Sequence, residues 1–204
     1  MKNICALIMI IALVSFLGYT VENLWIGLTK GYMDNRNMIF PFLLGYGLAV
    51  VGMYIIFGTP RDTTFFHNVS NPRTEFLLYF ITIMICISVG EIILGKTVEK
   101  FCHIKWWDYS RLPLHITQYT SVFTSMGFTT LIVTFMDKIF VPVYAWYMTW
   151  DTTTLAVVAI TLMIIMTTDF LHSAYLMYTK KTTLERWKIV LRENVVFRNK
   201  VRQA

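Results

Sequence analysis

Three carboxylic acids stand inside long apolar runs of this chain: Glu22, Glu91 and Asp169. An ionised side chain at the centre of a bilayer costs roughly 2.5–3.5 kcal/mol on insertion scales, so such residues turn toward a polar interior and mark ion paths, proton relays or binding sites. Glu91, Gly95 and Glu99 recur at helical spacing on one face, and Asp169 and His172 share a face by the same rule. A cluster of Glu22, Glu91, Asp169 and His172 could bind a cation, relay protons or hold a cationic group of a substrate. The competing reading is structural: each acid is hydrogen-bonded or paired with a basic loop residue such as Arg36 or Lys96. His172 is a weak metal candidate and fits an interfacial histidine better. Cys5, Cys86 and Cys102 are odd in number and show no CxxC spacing, so neither a disulfide framework nor a metal site is expected.

Gly90-Glu91-Ile92-Ile93-Leu94-Gly95-Lys96-Thr97 matches the phosphate-binding string G-x-x-x-x-G-K-T. A phosphate cradle needs free backbone N–H groups in a loop between a strand and a helix. Here the string closes a long apolar run and continues as helix, with those N–H groups already committed. Gly90, Gly95, Lys96 and Thr97 are therefore not expected to bind a nucleotide, and no cofactor is expected.

The segment Lys105-Trp106-Trp107-Asp108-Tyr109-Ser110-Arg111-Leu112-Pro113 mixes interfacial aromatics with turn formers. It is either an aromatic anchor or a lid, carried by Trp107, Asp108 and Tyr109, over the acids. Asn35-Arg36-Asn37 lies in another loop on the same side, and Arg36 is the natural counter-charge for one acid.

These residues need elements to hold them. The chain has 204 residues, 56% hydrophobic and 15% charged, against about 25% charged in soluble domains. Lipid is the expected solvent, and the fold class is an all-α polytopic membrane helix bundle. About five stretches are long enough for a hydrocarbon core of about 30 Å: residues 4–28, 38–57, 76–94, 117–135 and 155–178. Residues 139–150 are apolar and aromatic but short, and contain Pro142, which suggests an interfacial or re-entrant piece; a short sixth span is the alternative. Residues 1–178 form the transmembrane domain and 179–204 a cytosolic tail. In the tail Thr182 and Glu185 have capping-box spacing, and Leu184, Trp187, Leu191 and Val195 recur between basic residues, so a basic amphipathic helix is expected. With five spans and a cytosolic C-terminus, fourteen of the eighteen Lys and Arg residues lie inside. The N-terminus is then outside, and the net charge of +6 reports topology and contact with anionic lipid, with no nucleic-acid partner implied. This orientation puts all three acids in the cytosolic half.

Gly18-Tyr19 with Glu22, Asn35-Arg36, Pro41-Phe42, Tyr46-Gly47, Glu91, Gly95, Glu99 and Trp107-Asp108-Tyr109-Ser110 resemble, in order and spacing, the bacterial putative ABC-transporter permease family of type IV. The likeness covers about residues 15–175. Asn37 stands where glycine is usual, Leu44 where a proline is, and His115 and Thr117 where Asn and Gly are. The resemblance implies a permease subunit for an unknown substrate, which would need a separate ATPase subunit and, with only five spans, a homodimer; the membrane-embedded acids and their counter-charge suggest a path along Glu22, Arg36, Glu91, Glu99 and Asp169. Two alternatives stay open. One is a small intramembrane enzyme acting on a lipid or isoprenoid at the inner leaflet, although no hydrolase signature is present and a non-enzymatic role is favoured. The other is a non-catalytic membrane subunit that recruits a cytosolic partner.

Overall fold

A computed structural model describes residues 1–66 and 68–191. The elements, in chain order, are α1 (Lys2–Lys30), β1 (Tyr32–Asp34), α2 (Leu44–Phe57), β2 (Gly58–Thr59), β3 (Asp62–Thr63), α3 (Pro72–Cys102), β4 (His115–Thr117), β5 (Thr120–Ser121), α4 (Val122–Phe135), a π turn (Met136–Phe140), α5 (Val141–Thr149), α6 (Thr152–Lys180) and β6 (Lys188–Val190). The architecture is an all-α bundle with three two-residue or three-residue antiparallel strand pairs at its ends. Four helices among the described residues are long and apolar enough to cross a membrane: Lys2–Lys30, Pro72–Cys102, Val122–Thr149 and Thr152–Lys180.

Local chemistry sets the helix ends. Gly31, at φ 77°, closes α1 in the left-handed conformation. Asn71 caps α3 by accepting from Arg73 N–H, with Pro72 at the first helical position. A Ser121/Thr124 capping box opens α4, and the Asp151 carboxylate accepts from Thr154 N–H to open α6.

Helix α1 packs mainly on α2 and α6, and α3 mainly on α4. The buried centre holds Ala6, Ile10, Tyr79, Ile83, Phe140, Leu155 and Ala159. Leu28, Ile55, Ile93, Val157, Ile160 and Ile164 are exposed, as residues facing acyl chains would be. The C-terminal ends of α1, α3 and α6 meet at one end of the bundle: β6 pairs with β1, and Lys181 Nζ donates to Phe101 O at 2.5 Å.

Three expectations are corrected. The run 38–57 becomes helix only from Leu44, and α2, at 14 residues, spans about 21 Å. Pro41 biases Phe40 toward extended backbone, and the N–H groups of Ile39 and Phe40 bond instead to Asp169 on α6. Leu43 N–H donates to Ser15 O on α1. Non-helical backbone at this depth is thus satisfied by protein, as a bilayer requires. Second, residues 139–150 are not a separate interfacial or re-entrant piece. They continue α4 through the π turn into α5, so the expected 117–135 span becomes Val122–Thr149. Third, residues 182–191 do not begin an amphipathic helix. Lys181 stops α6 at φ 52°; Asn37 Oδ1 takes Leu184 N–H at 2.7 Å and Asn35 Oδ1 takes Arg186 N–H at 2.9 Å, which leaves 188–190 to pair as a strand with β1. The remainder of that expected helix, 192–204, lies outside the described residues.

Candidate functional site

Glu22 projects from the last third of α1. Arg36 Nε donates to its Oε2 at 2.7 Å, and the Tyr46 hydroxyl donates to its Oε1 at 2.5 Å. Gly18, one turn earlier, is what lets Tyr46 reach: a Cβ there would sit 2.7 Å from the Tyr46 Cγ. Arg36 adopts φ 48°, held by Asp34 Oδ1, which accepts Arg36 N–H at 2.8 Å, and by the ion pair itself. Asn37 follows at φ 67°, a left-handed position that favours glycine or asparagine.

The same device recurs on α3. Gly95 precedes Glu99 by one turn, and a Cβ on Gly95 would lie 2.8 Å from Tyr119 Cγ. Tyr119 lies over that gap and its hydroxyl donates to Glu99 Oε2, which also accepts from Gln118 Nε2 at 3.0 Å. One turn before Gly95, Glu91 Oε2 accepts from Thr120 Oγ1 at 2.5 Å and lies 3.3 Å from Ser125 Oγ.

The 103–114 loop is pinned to this hairpin. Trp107 Nε1–H donates to Tyr119 O at 2.8 Å, and Tyr109 N–H donates to Gln118 O at 2.8 Å. Asp108 Oδ1 accepts Ser110 N–H at 2.9 Å in a turn, and the Ser110 hydroxyl first, then this N–H, hold its carboxyl below the usual carboxylate range. The Trp-Asp-Tyr-Ser stretch therefore fixes Gln118 and Tyr119, the two residues whose side chains serve Glu99. It also delivers Tyr109 to the fields of Glu91, Glu22 and Arg36. Burial first, then the two carboxylates, push the Tyr109 hydroxyl well above its ordinary range.

Glu22, Arg36 and Tyr46 form one bonded group and Glu91, Thr120 and Ser125 another; Tyr46 and Tyr109, in the fields of both glutamates, bring the two together as one polar centre, with Glu99 two turns along α3 from Glu91. Asp169 does not join it by any bond. Asp169 is 4% exposed, and its carboxylate accepts Ile39 N–H at 2.9 and 3.0 Å and Phe40 N–H at 2.9 Å, anchoring the unwound approach to α2. His172 is exposed. Among the described residues no group of three or more His, Cys, Asp or Glu side chains could hold a metal ion. The G-x-x-x-x-G-K-T string lies wholly within α3, where Thr97 Oγ1 bonds Ile93 O at 2.7 Å. A cleft of about 820 Å³ opens at the opposite end of the bundle, beside the Arg61–Asp137 ion pair.

The model of the family described as putative ABC-transporter type IV matches residues 9–174. The chain belongs to that family. The match runs from the first turns of α1 to the last turns of α6 and takes in every residue of the polar centre. With four helices of spanning length, this type IV family member is a multi-pass membrane protein of a transporter family. No curated protein and no solved structure matches the chain.

Tyr46, Tyr119, Thr120 and Ser125 were not among the candidates that charge and hydropathy single out. The signal for the tyrosines was present as spacing: a glycine one turn before each of Glu22 and Glu99 leaves a hollow that an aromatic ring can fill.

Proposed function

We propose that the chain is the membrane-spanning permease subunit of an ATP-driven transporter, and that Glu22, Arg36, Tyr46, Glu91 and Tyr109 line the solute path in its cytosolic half. The carrying observation is that a strongly polar centre joins helices of both packing groups, α1–α2 and α3–α4, beside an interrupted helix. Interrupted helices and unwound backbone are how transporters expose polar groups at membrane depth. The inside excess of Lys and Arg supports an outside N-terminus and a cytosolic C-terminus. A separate ATPase would dock on the basic cytosolic loops and tail, and a homodimer would supply the helices that one copy lacks.

The test uses inside-out vesicles from cells expressing the chain with its ATPase. Solutes taken up on adding ATP are identified by mass spectrometry of the vesicle contents. Glu22→Gln and Glu91→Gln, at equal membrane abundance, should each abolish the accumulated species. Contents indistinguishable from wild type would refute the reading.

A further inference from the structure

The acids at membrane depth differ in what neutralises them. Glu22 has the Arg36 guanidinium at 2.7 Å. Asp169 has the N–H dipoles of Ile39 and Phe40. Glu91 has neither. Its bonded partners among the described residues are the hydroxyls of Thr120 and Ser125, both at 0% exposure. Its other oxygen, Oε1, accepts no bond from a described residue.

The hydroxyl network behind Glu91 is short of hydrogens. Thr120 Oγ1 lies 2.9 Å from Ser125 Oγ, Ser88 Oγ lies 2.9 Å from Ser125 Oγ, and Ser88 Oγ lies 2.9 Å from Met84 O. With the two contacts to Glu91 this makes five close oxygen pairs served by three hydroxyl hydrogens. An ionised Glu91 would add negative charge to a set already lacking donors.

Among the described residues, the surrounding elements bring no counter-charge to it. On its own helix the residues one turn away are Ile87 and Gly95. Helix α4 and β5 bring Ser125 and Thr120. Helix α2 brings Tyr46, and the 103–114 loop brings Tyr109; both hydroxyls lie in the fields of Glu91 and Glu22. The nearest cation in this centre, Arg36, is spent on Glu22 and Asp34.

We infer that Glu91, with Thr120 and Ser125, is a binding site for one monovalent cation, a proton or a sodium ion, and that this ion is what the permease couples to its cycle. The inference rests on the permease reading for its role, but not for the site. A half-buried carboxylate that has hydroxyl partners but no counter-charge takes up a positive charge, because the ionised form is poorly compensated where solvent is partly excluded. A proton would give Glu91 the fourth hydrogen its network can use. A sodium ion would take the carboxylate and the two hydroxyls as oxygen ligands.

The experiment is infrared spectroscopy of the full chain in lipid nanodiscs without ATP or any partner. The protonated-carboxyl band is followed at neutral pH while sodium chloride replaces choline chloride. Wild type is compared with Glu91→Gln and, as a variant that keeps the acid, Glu91→Asp. A protonated band lost in Glu91→Gln and indifferent to sodium identifies a proton. A carboxylate signal that changes saturably with sodium in wild type and not in Glu91→Gln identifies sodium. In either case Glu91→Asp keeps the response with a shifted midpoint, which tells a loaded site from a packing defect. Absence of both the Glu91-dependent protonated band and any sodium response overturns the inference. A retained response with no solute uptake would leave the ion site standing and remove the permease role.

Discussion

At the scale of single residues, the two ion-paired or dipole-bonded acids can be separated by what their loss leaves behind. Removing Arg36 strands Glu22 with one phenol donor, whereas removing both charges leaves a neutral gap. Arg36→Ala is therefore expected to cost about 1–3 kcal/mol of stability, and Arg36→Ala combined with Glu22→Gln less than the sum of the single changes. Thermal unfolding of the four species in detergent measures this. Additive losses would show that the pair is not coupled. Asp169→Asn keeps the size of the side chain but replaces one acceptor oxygen by a donor facing the N–H groups of Ile39 and Phe40. A loss of about 1–3 kcal/mol is expected, with faster hydrogen exchange confined to the segment before α2. Unaltered exchange at Ile39 and Phe40 would mean that those bonds are not formed.

At the scale of elements, the glycines Gly18 and Gly95 do equivalent work, each opening a hollow for a tyrosine that serves the glutamate one turn on. Gly18→Ala should displace Tyr46 from Glu22, and Gly95→Ala should displace Tyr119 from Glu99. Gly90→Ala is the control, because a Cβ at Gly90 meets nothing within 4 Å. Ultraviolet resonance Raman of the tyrosine hydroxyls reads the loss of those bonds. If Gly95→Ala and Gly90→Ala gave the same spectrum, the hollow would be irrelevant. Elements also show where the sequence was legible. Long apolar runs and capping residues such as Asn71 and Ser121 are local signals, and the spanning helices follow them. The unwound approach to α2 was not legible, because its stabilising acceptor, Asp169, lies 130 residues away. The tail misled for the same reason. Its amphipathic period is real, but Asn35 and Asn37, some 150 residues earlier, capture its N–H groups first. Pro142, which suggested a break, is tolerated near the start of α5 after a π turn.

At the scale of the whole molecule, hydropathy and loop charge indicated a membrane bundle with its acids at one end, and the bundle gathers Glu22 and Glu91 there with Arg36 and the Trp-Asp-Tyr loop. Asp169 shared the sequence signal, but its carboxylate accepts the N–H groups of Ile39 and Phe40 rather than bonding to Glu22, Arg36 or Glu91, and burial of an acid does not by itself distinguish a path from a scaffold. The central claim is that the polar centre is reached by water from the cytosol. Substituted-cysteine labelling tests it most directly. In a background with Cys5, Cys86 and Cys102 replaced by serine, cysteine is placed at Tyr109, Glu91 or the exposed, apolar Ile93. A membrane-impermeant thiol reagent is then added to right-side-out or inside-out vesicles. The account predicts that Tyr109→Cys and Glu91→Cys react from the cytosolic side at least about tenfold faster than Ile93→Cys, an accessibility difference of about 1.4 kcal/mol. Labelling of Glu91→Cys as slow as Ile93→Cys, or only from the outside, would contradict it.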